Sequence, residues 1–363
     1  MNKYKLLTPG PVTTTKSVKE VMIQDHCTWD DDYKKIVNDI QNRILDIGHC
    51  DKDKYTCVLM SGSGTYANEA VISTVIKKNE KLLVVESGVY GARLGILAEY
   101  ANIAYTTYQL VYNKEQDLIN IENILLNDRD ITHVIMVHIE STFGYENDLM
   151  GISKICRNYS KKIIVDAMSS FGALDFNIQN LDIDYLITTP NKALESVPGL
   201  SIIICKNSDI DNCKGNANAL SLDLYQQYKS MINHKFRFTS PTHNVFALHQ
   251  ALIELEEEGG VKKRYQRYLR INTLMVEMMK KYKIYRFEET EYQSVILNCF
   301  TLNNQKYQFD QLYNYLRINK YELYPGKMTS DNTFRIGNIG QVNEEDINNI
   351  DKLLKNFYLS NNL

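Results

Sequence analysis

Tyr185-Leu-Ile-Thr-Thr-Pro-Asn-Lys-Ala-Leu194 is an apolar, strand-like run that ends in a polar turn carrying Lys192. Upstream, Lys162-Ile-Ile-Val-Asp-Ala-Met-Ser-Ser-Phe-Gly172 does the same with Asp166. The apolar part of each run is continuous, the mark of a strand covered on both faces and so of a mostly parallel sheet. Four more runs share the pattern: Cys57–Met60, Lys81–Val85, His133–His138 and Leu200–Cys205. Between them, Ala67–Ile76 carries Ala, Ile and Val at helical intervals, and Ser153–Tyr159 does so on a shorter scale. These segments predict a doubly wound α/β domain over roughly residues 20–240, with ligands gathered where the strands end.

After Pro241 the character changes. One long helical stretch from about Asn244 to Lys281 is followed by a strand-like Ser294–Phe300, a helical Tyr307–Asn319 and a last helix near Glu344–Tyr358. The expected division is therefore a large α/β domain over 1–243, including an N-terminal segment, and a smaller C-terminal α+β domain over 244–363. The Leu7-Thr-Pro-Gly-Pro11 turn is expected to belong to the large one.

A net charge of −3 over 363 residues offers no field for polyanions, so nucleic acid is not an expected partner. No apolar h-region opens the chain and no segment reaches the roughly 20 apolar residues of a bilayer crossing, which predicts a cytoplasmic protein without membrane attachment. Seven scattered cysteines without a Cys-x-x-Cys pair read as thiols, and no metal site is expected from them. The carboxylates of Asp30-Asp-Asp32 are adjacent, so they cannot all face one ion on a regular element. They read as a solvated loop or helix cap.

Ser61-Gly-Ser-Gly-Thr65 follows the first strand and precedes a helix, where backbone N–H groups and hydroxyls can cradle an anion. Alone it could be a flexible turn, and it matches neither a nucleotide P-loop nor G-x-G-x-x-G. Asp166 could be a helix N-cap and Lys192 a solvated surface lysine. Taken together, a strand-end lysine, a strand-end carboxylate and a phosphate cradle suit pyridoxal phosphate. That cofactor needs an amine for its Schiff base, an acid to hold the pyridine nitrogen protonated and an anchor for its phosphate. Tyr90, in Ser87-Gly-Val-Tyr-Gly91, could stack on the pyridine ring or pack in the core. His138, Glu140, Ser141 and Thr142 end the next strand; His138 is equally a core histidine.

Leu7–Pro11, Gly62–Thr65, Glu140–Thr142, Val165–Gly172, Asn191-Lys192 and Arg335-Ile-Gly337 together resemble the class V aminotransferase group of fold-type I pyridoxal-phosphate enzymes. Cys27–Tyr33, Leu220–Tyr225, Arg237–His243, Tyr324–Lys327 and Phe334–Gly340 draw the resemblance toward its branch that pairs 2-aminoethylphosphonate with pyruvate. The resemblance covers nearly the whole chain. It implies a mixed, mostly parallel seven-stranded sheet with flanking helices and a homodimer with shared active sites. It also implies ping-pong transamination through an aldimine on Lys192, yielding phosphonoacetaldehyde and L-alanine. Residue by residue, it implies Asp166 at the pyridine nitrogen, Ser63, Gly64 and Thr65 on the phosphate, and Tyr90 on the ring. Thr142 then lies near O3′, Asn191 adds a polar contact, Thr239 reaches the phosphate from the second subunit, and Arg335 clamps the anionic group of both substrates. The sequence departs from the group's pattern at Thr188-Thr-Pro-Asn191 and at Glu195-Ser196, where Ser-Ser-Ala-Asn and Gln-Gly are expected. An alanine- or serine-glyoxylate type of aminotransferase is the alternative, followed by a non-catalytic pyridoxal-phosphate-binding module; a cysteine desulfurase would need a reactive thiol on a mobile loop, whereas Cys299, in an apolar strand-like run, reads as buried and inert.

Overall fold

The computed structural model describes residues 3–112, 114–303, 305–327 and 332–361. β1 (Lys5–Leu6), α1 (Lys16–Glu20) and α2 (Asp31–Ile47) precede an alternating run. It comprises β2 (Tyr55–Ser61), α3 (Gly64–Val75), β3 (Lys81–Glu86), α4 (Val89–Tyr100), β4 (Ala104–Gln109), α5 (Lys114–Asn127) and β5 (Ile131–Val137). A hairpin of β6 (Ile139–Glu140) and β7 (Tyr145–Glu146) leads through α6 (Leu149–Asn158) to β8 (Lys162–Asp166), β9 (Tyr185–Thr188) and β10 (Leu200–Lys206). Next come α7 (Asn207–Ile210), α8 (Leu224–Met231), α9 (Thr242–Glu257) and α10 (Gly260–Lys281). The chain closes with β11 (Tyr285–Arg286), β12 (Leu297–Thr301), α11 (Phe309–Ile318), β13 (Tyr321–Glu322), β14 (Tyr324–Pro325), β15 (Thr333–Gly337) and α12 (Glu344–Ser360).

Seven strands form the large sheet in the order β2-β10-β9-β8-β5-β3-β4, parallel except where β10 runs against both neighbours. All six apolar runs are strands of this sheet. β4 is the seventh, and its Ala-Tyr-Thr-Thr-Tyr-Gln sequence is mostly exposed at the sheet edge, so it carries none of the continuous hydrophobicity of a covered strand. β8 and β9 are neighbours with Asp166 opposite Ile187, so the turns after them open side by side. The Ser61–Thr65 loop opens at the same end, tied there by Gly62 N–H donating to Gly199 O at 3.0 Å.

The core of the sheet includes Val58, Val84, Ile135, Ile164 and Ile203, all fully buried, and Val245, Leu248, Leu252 and Leu255 of α9 join it. A second core gathers Met275 of α10, Phe300, Phe334, Ile336 and Leu354 around the small sheet β11-β12-β15-β14. Two local expectations differ from this packing. The helical stretch 244–281 is broken between α9 and α10 at Gly259, whose φ of 100° lies outside the helical region. The N-terminal turn is shared: β1 pairs with β13 and Leu7 lies in the second core, while the turn itself runs on to the large sheet. A buried leucine followed by a Pro-Gly-Pro turn is equally compatible with either surface, so only the tertiary pairing decides. The Asp30-Asp-Asp32 run opens α2, where Asp31 and Asp32 pair with Lys34 and Lys35 at 2.6 and 2.8 Å.

Candidate active site

Asp166 ends β8 and is buried. Its Oδ2 accepts from Asn68 Nδ2 at 2.8 Å and its Oδ1 from the Met168 N–H at 3.1 Å. Neither donor is a cation, and burial pushes the carboxyl above its usual range. Asn68 stands one turn into α3, on the same helix as the Gly64 N-terminus, and its Oδ1 has no hydrogen-bond partner.

Lys192 projects from the turn between β9 and β10. That turn is closed by the Glu195 and Ser196 N–H groups, which donate to the Lys192 and Pro190 carbonyls at 2.9 Å each. Lys192 is half-buried, yet enough protein surrounds its side chain for lost hydration to pull the ammonium pKa down to about 8. Asp166 opposes this shift, and Arg335 adds to it. Gly10 packs so closely on the lysine stem that a Cβ there would overlap Lys192 Cδ and Cε. The Pro9-Gly-Pro11 turn therefore forms one wall of the lysine's channel.

In the anion loop, Ser63 occupies the N-cap of α3 in extended conformation, but its hydroxyl makes no capping bond and is exposed. Gly64 is buried against Met168, two residues beyond Asp166, which brings the loop and the carboxylate to one surface. Thr65 is half-buried in the first turn, where helix N–H groups lack intrahelical acceptors.

Tyr90 starts α4 and is half-buried, with the Arg93 guanidinium 5.1 Å and Lys327 Nζ 5.9 Å from its ring centre. The first turn of α4 is held by the fully buried Glu140, which accepts from the Gly91 N–H at 3.1 Å and from Thr142 Oγ1 at 2.6 Å. Thr142 Oγ1 in turn accepts from the Val89 N–H at 3.2 Å. Thr142 and Tyr90 are thereby fixed to each other through Glu140, a carboxylate stabilised by the positive end of a helix. His138 sits in the core, edge-on to Phe176 at 5.1 Å, and burial lowers its pKa to about 4, so the ring is neutral.

Arg335, in the middle of β15, is 3 % exposed. Its Nε donates to Pro325 O and its Nη1 to Ser141 O, both at 3.1 Å, and the guanidinium lies 5.9 Å from the Tyr324 ring. No carboxylate among the described residues pairs with it, although burying a guanidinium without a counter-charge is costly. Asn191 Oδ1 accepts from Thr189 Oγ1 at 2.7 Å. Thr239 is not brought to this group: it is exposed on the segment between α8 and α9, beside the exposed Phe238.

The described chain thus assembles Lys192, Asp166, the Ser63–Thr65 loop, Thr142, Tyr90 and Arg335 around the ends of the large sheet. Sequence reading singles out Glu140 and the turn containing Gly10 but not what either does here, anchoring α4 and walling the lysine stem. Asn68 escapes it, although a polar residue among the buried positions of α3 is the signal that could have found it.

The class-V aminotransferase family matches residues 24–348. A 2-aminoethylphosphonate–pyruvate transaminase of Bacillus cereus is 46 % identical over 351 residues, covering 96 % of each chain. Among solved structures, an alanine–glyoxylate aminotransferase from Nostoc sp. superposes with a TM-score of 0.88 at 21 % identity, covering 98 % of this chain and 95 % of that one. A ureidoglycine–glyoxylate aminotransferase from Bacillus subtilis gives the same TM-score at 20 % identity over 100 % of this chain and 95 % of the other. The two solved structures share the fold. This chain belongs to the class-V aminotransferases, the fold-type I enzymes that depend on pyridoxal phosphate. The residues present fit that cofactor: a lysine of lowered pKa, a buried carboxylate whose hydrogen-bond donors are both neutral and an unengaged N-cap hydroxyl converge on one surface.

Proposed function

We propose that the chain transfers the amino group of 2-aminoethylphosphonate to pyruvate, with phosphonoacetaldehyde and L-alanine as products. The observation that carries this reading is Arg335, a buried guanidinium whose acceptors among the described residues are two backbone carbonyls, and whose charge is felt at Lys192. 2-Aminoethylphosphonate has no carboxylate beside its amine, but its phosphonate lies near where a carboxylate would be. One planar donor fork can therefore serve the phosphonate in one half-reaction and the pyruvate carboxylate in the other. Lys327, on the open side of Tyr90, supplies a second cation suited to the greater charge of a phosphonate. The similarity to the Bacillus cereus transaminase supports the same pair of substrates.

Pyridoxal phosphate, when bound, supplies an electron sink for the carbanion formed at the amine-bearing carbon. The chain's part is to hold and move protons around it. Asp166 keeps a proton on the pyridine nitrogen, a task that a buried carboxylate short of positive charge is suited to. Lys192 is the amine that would hold the cofactor and, when free, the base that would take the proton from the amine-bearing carbon. A lysine whose pKa is lowered to about 8 is available as the free base near neutrality. Ser63, Gly64 and Thr65 would bind the phosphate, Tyr90 would cover the ring, and Thr142 and Asn191 would give it polar contacts.

Thr239 serves the phosphate of a second subunit in a homodimer. Its exposed position among Phe238, Trp29 and Leu220, which are 52 %, 77 % and 72 % exposed, supports that assignment. Lys235 lies 4.7 Å over the Trp29 ring, and Arg237 donates to Leu220 O at 2.6 Å and lies 5.0 Å over the Phe238 ring, so all three meet the segment that carries Thr239. No helix among the described residues is long and apolar enough to cross a membrane, and a cytoplasmic location is part of the proposal.

The test is a single half-reaction on purified holoenzyme. 2-Aminoethylphosphonate added without pyruvate should bleach the visible absorbance band, and pyruvate should restore it with the appearance of alanine. A band that ignores 2-aminoethylphosphonate but responds to alanine or serine overturns the substrate pair and leaves the cofactor in place.

A further inference from the structure

Three residues after Lys192, Glu195 is buried at a φ of 59°, a left-handed conformation that a non-glycine residue adopts only when its surroundings hold it there. Its surroundings do so from two directions. Oε1 accepts from Tyr268 OH at 2.6 Å, Arg267 Nη2 at 2.7 Å and the Gly340 N–H at 3.1 Å; Oε2 accepts from Gln341 Nε2 at 2.8 Å. Every partner is a donor, so the site is built for an acceptor-only, ionised carboxylate.

Around this carboxylate, α10 grips both halves of the active site. Arg264 Nη1 donates to Ala193 O, the carbonyl immediately after Lys192, at 3.0 Å, and the Tyr268 hydroxyl oxygen lies 3.3 Å from the same carbonyl. Arg267 Nη1 donates to Gly340 O at 2.9 Å. Gly340 lies just beyond β15, the strand that carries Arg335. Glu258 accepts from Nε of both arginines at 2.8 and 2.7 Å, fixing their planes.

We propose that Glu195 is a positioning residue: its carboxylate couples the turn that presents Lys192 to the Gly340 segment behind Arg335. The amine and the anion clamp then keep one separation through both half-reactions. The proposal rests on the reading of Arg335 as a clamp for two anionic substrates. It does not need Glu195 to touch either of them, since its oxygens are occupied by α10, Gly340 and Gln341.

The experiment compares holoenzymes of the parent chain, Glu195→Gln and Arg267→Met by three readouts. These are the pH midpoint of the visible band, kcat and KM in each half-reaction, and the melting temperature. Loss of position should lower kcat about tenfold in both variants and move the band midpoint in the same direction in both, by about half a pH unit or more. A direct charge effect would instead move the midpoint in opposite directions, because one variant removes an anion and the other a cation. That result overturns the proposal, as does a lowered melting temperature with kcat and midpoint unchanged, which marks a purely structural latch. Should Glu195→Gln not yield folded holoenzyme, Arg267→Lys keeps the charge, loses the planar fork and is read the same way. The band titration needs no substrate, so it reports on the coupling even if 2-aminoethylphosphonate is not the donor.

Discussion

Two groups of arginines lie deep in this molecule, and they are treated in opposite ways. Arg264 and Arg267 on α10 face Glu258 and Glu195, and their cluster is closed by backbone groups of Ala193 and Gly340. Arg335, as buried as Arg264, meets two carbonyl oxygens and an aromatic ring. Buried charge tends to be paired within the chain, because desolvating an ion is expensive unless a counter-ion compensates. The first group finds its carboxylates within the protein, whereas among the described residues the second finds none. On the proposed reading of Arg335, that contrast separates a cation used to hold the fold from one kept for a ligand.

The largest effect that tests this contrast is at Lys192, which stands between the two groups. Lys192→Ala should lower turnover by on the order of 10⁴-fold or more and remove the visible band, as read by absorbance and single-turnover kinetics. A variant that keeps the parent spectrum would show that another amine holds the cofactor. Next comes Arg335→Gln, which should lower kcat/KM by about 10²- to 10³-fold for both 2-aminoethylphosphonate and pyruvate, because each loses a charge-assisted pair in a dry site. Its unfolding free energy should be unchanged or higher, since the substitution removes an uncompensated buried charge. A loss confined to one substrate would break the shared-clamp reading. The converse holds for Arg267→Met: stability should fall by about 2–4 kcal/mol in denaturant titration, because Glu195 keeps its burial and loses its main cation. If Arg335→Gln destabilised the fold as much as Arg267→Met, the two groups would no longer be distinct.

This division was only half legible in the sequence. Strands covered on both faces announce themselves by continuous hydrophobicity, so the sheet that positions Asp166 and Lys192 could be read directly, and the glycine-rich loop after β2 could be placed at its end. β4 could not, because an exposed edge strand has no such run. Arg335 stood out through its resemblance to a family motif, but its lack of a carboxylate partner is a property of the whole fold. The Glu195 cluster was the least legible. Nothing in the sequence singles out Arg267 or pairs Glu258 with Arg264 across the fold, and Glu195 registers only as a departure from the family pattern. A charge run on a helix is usually a solvated face. Here the break at Gly259 lets α10 turn those arginines inward, onto a carboxylate more than sixty residues earlier in the chain.

The smallest effect is also the most direct reading of the unpaired charge. Burial lowers the Lys192 pKa to about 8, with Asp166 pulling it up and Arg335 pushing it down. The free amine captures pyridoxal phosphate, so capture by apoprotein should speed up as pH rises, with a midpoint near 8 instead of the ~10.4 of an unperturbed lysine. Removing Arg335 removes a repulsion, so Arg335→Gln should move the midpoint up. Removing the Asp166 charge removes an attraction, so Asp166→Asn should move it down. Each shift should be about half a unit to one unit, measured by stopped-flow absorbance across pH. Arg335 can exert this push because no carboxylate among the described residues pairs with it to cancel its field. Midpoints that move in the same direction in both variants would mean that the lysine senses altered packing, and that the arginine's charge is neutralised in a way its surroundings do not reveal.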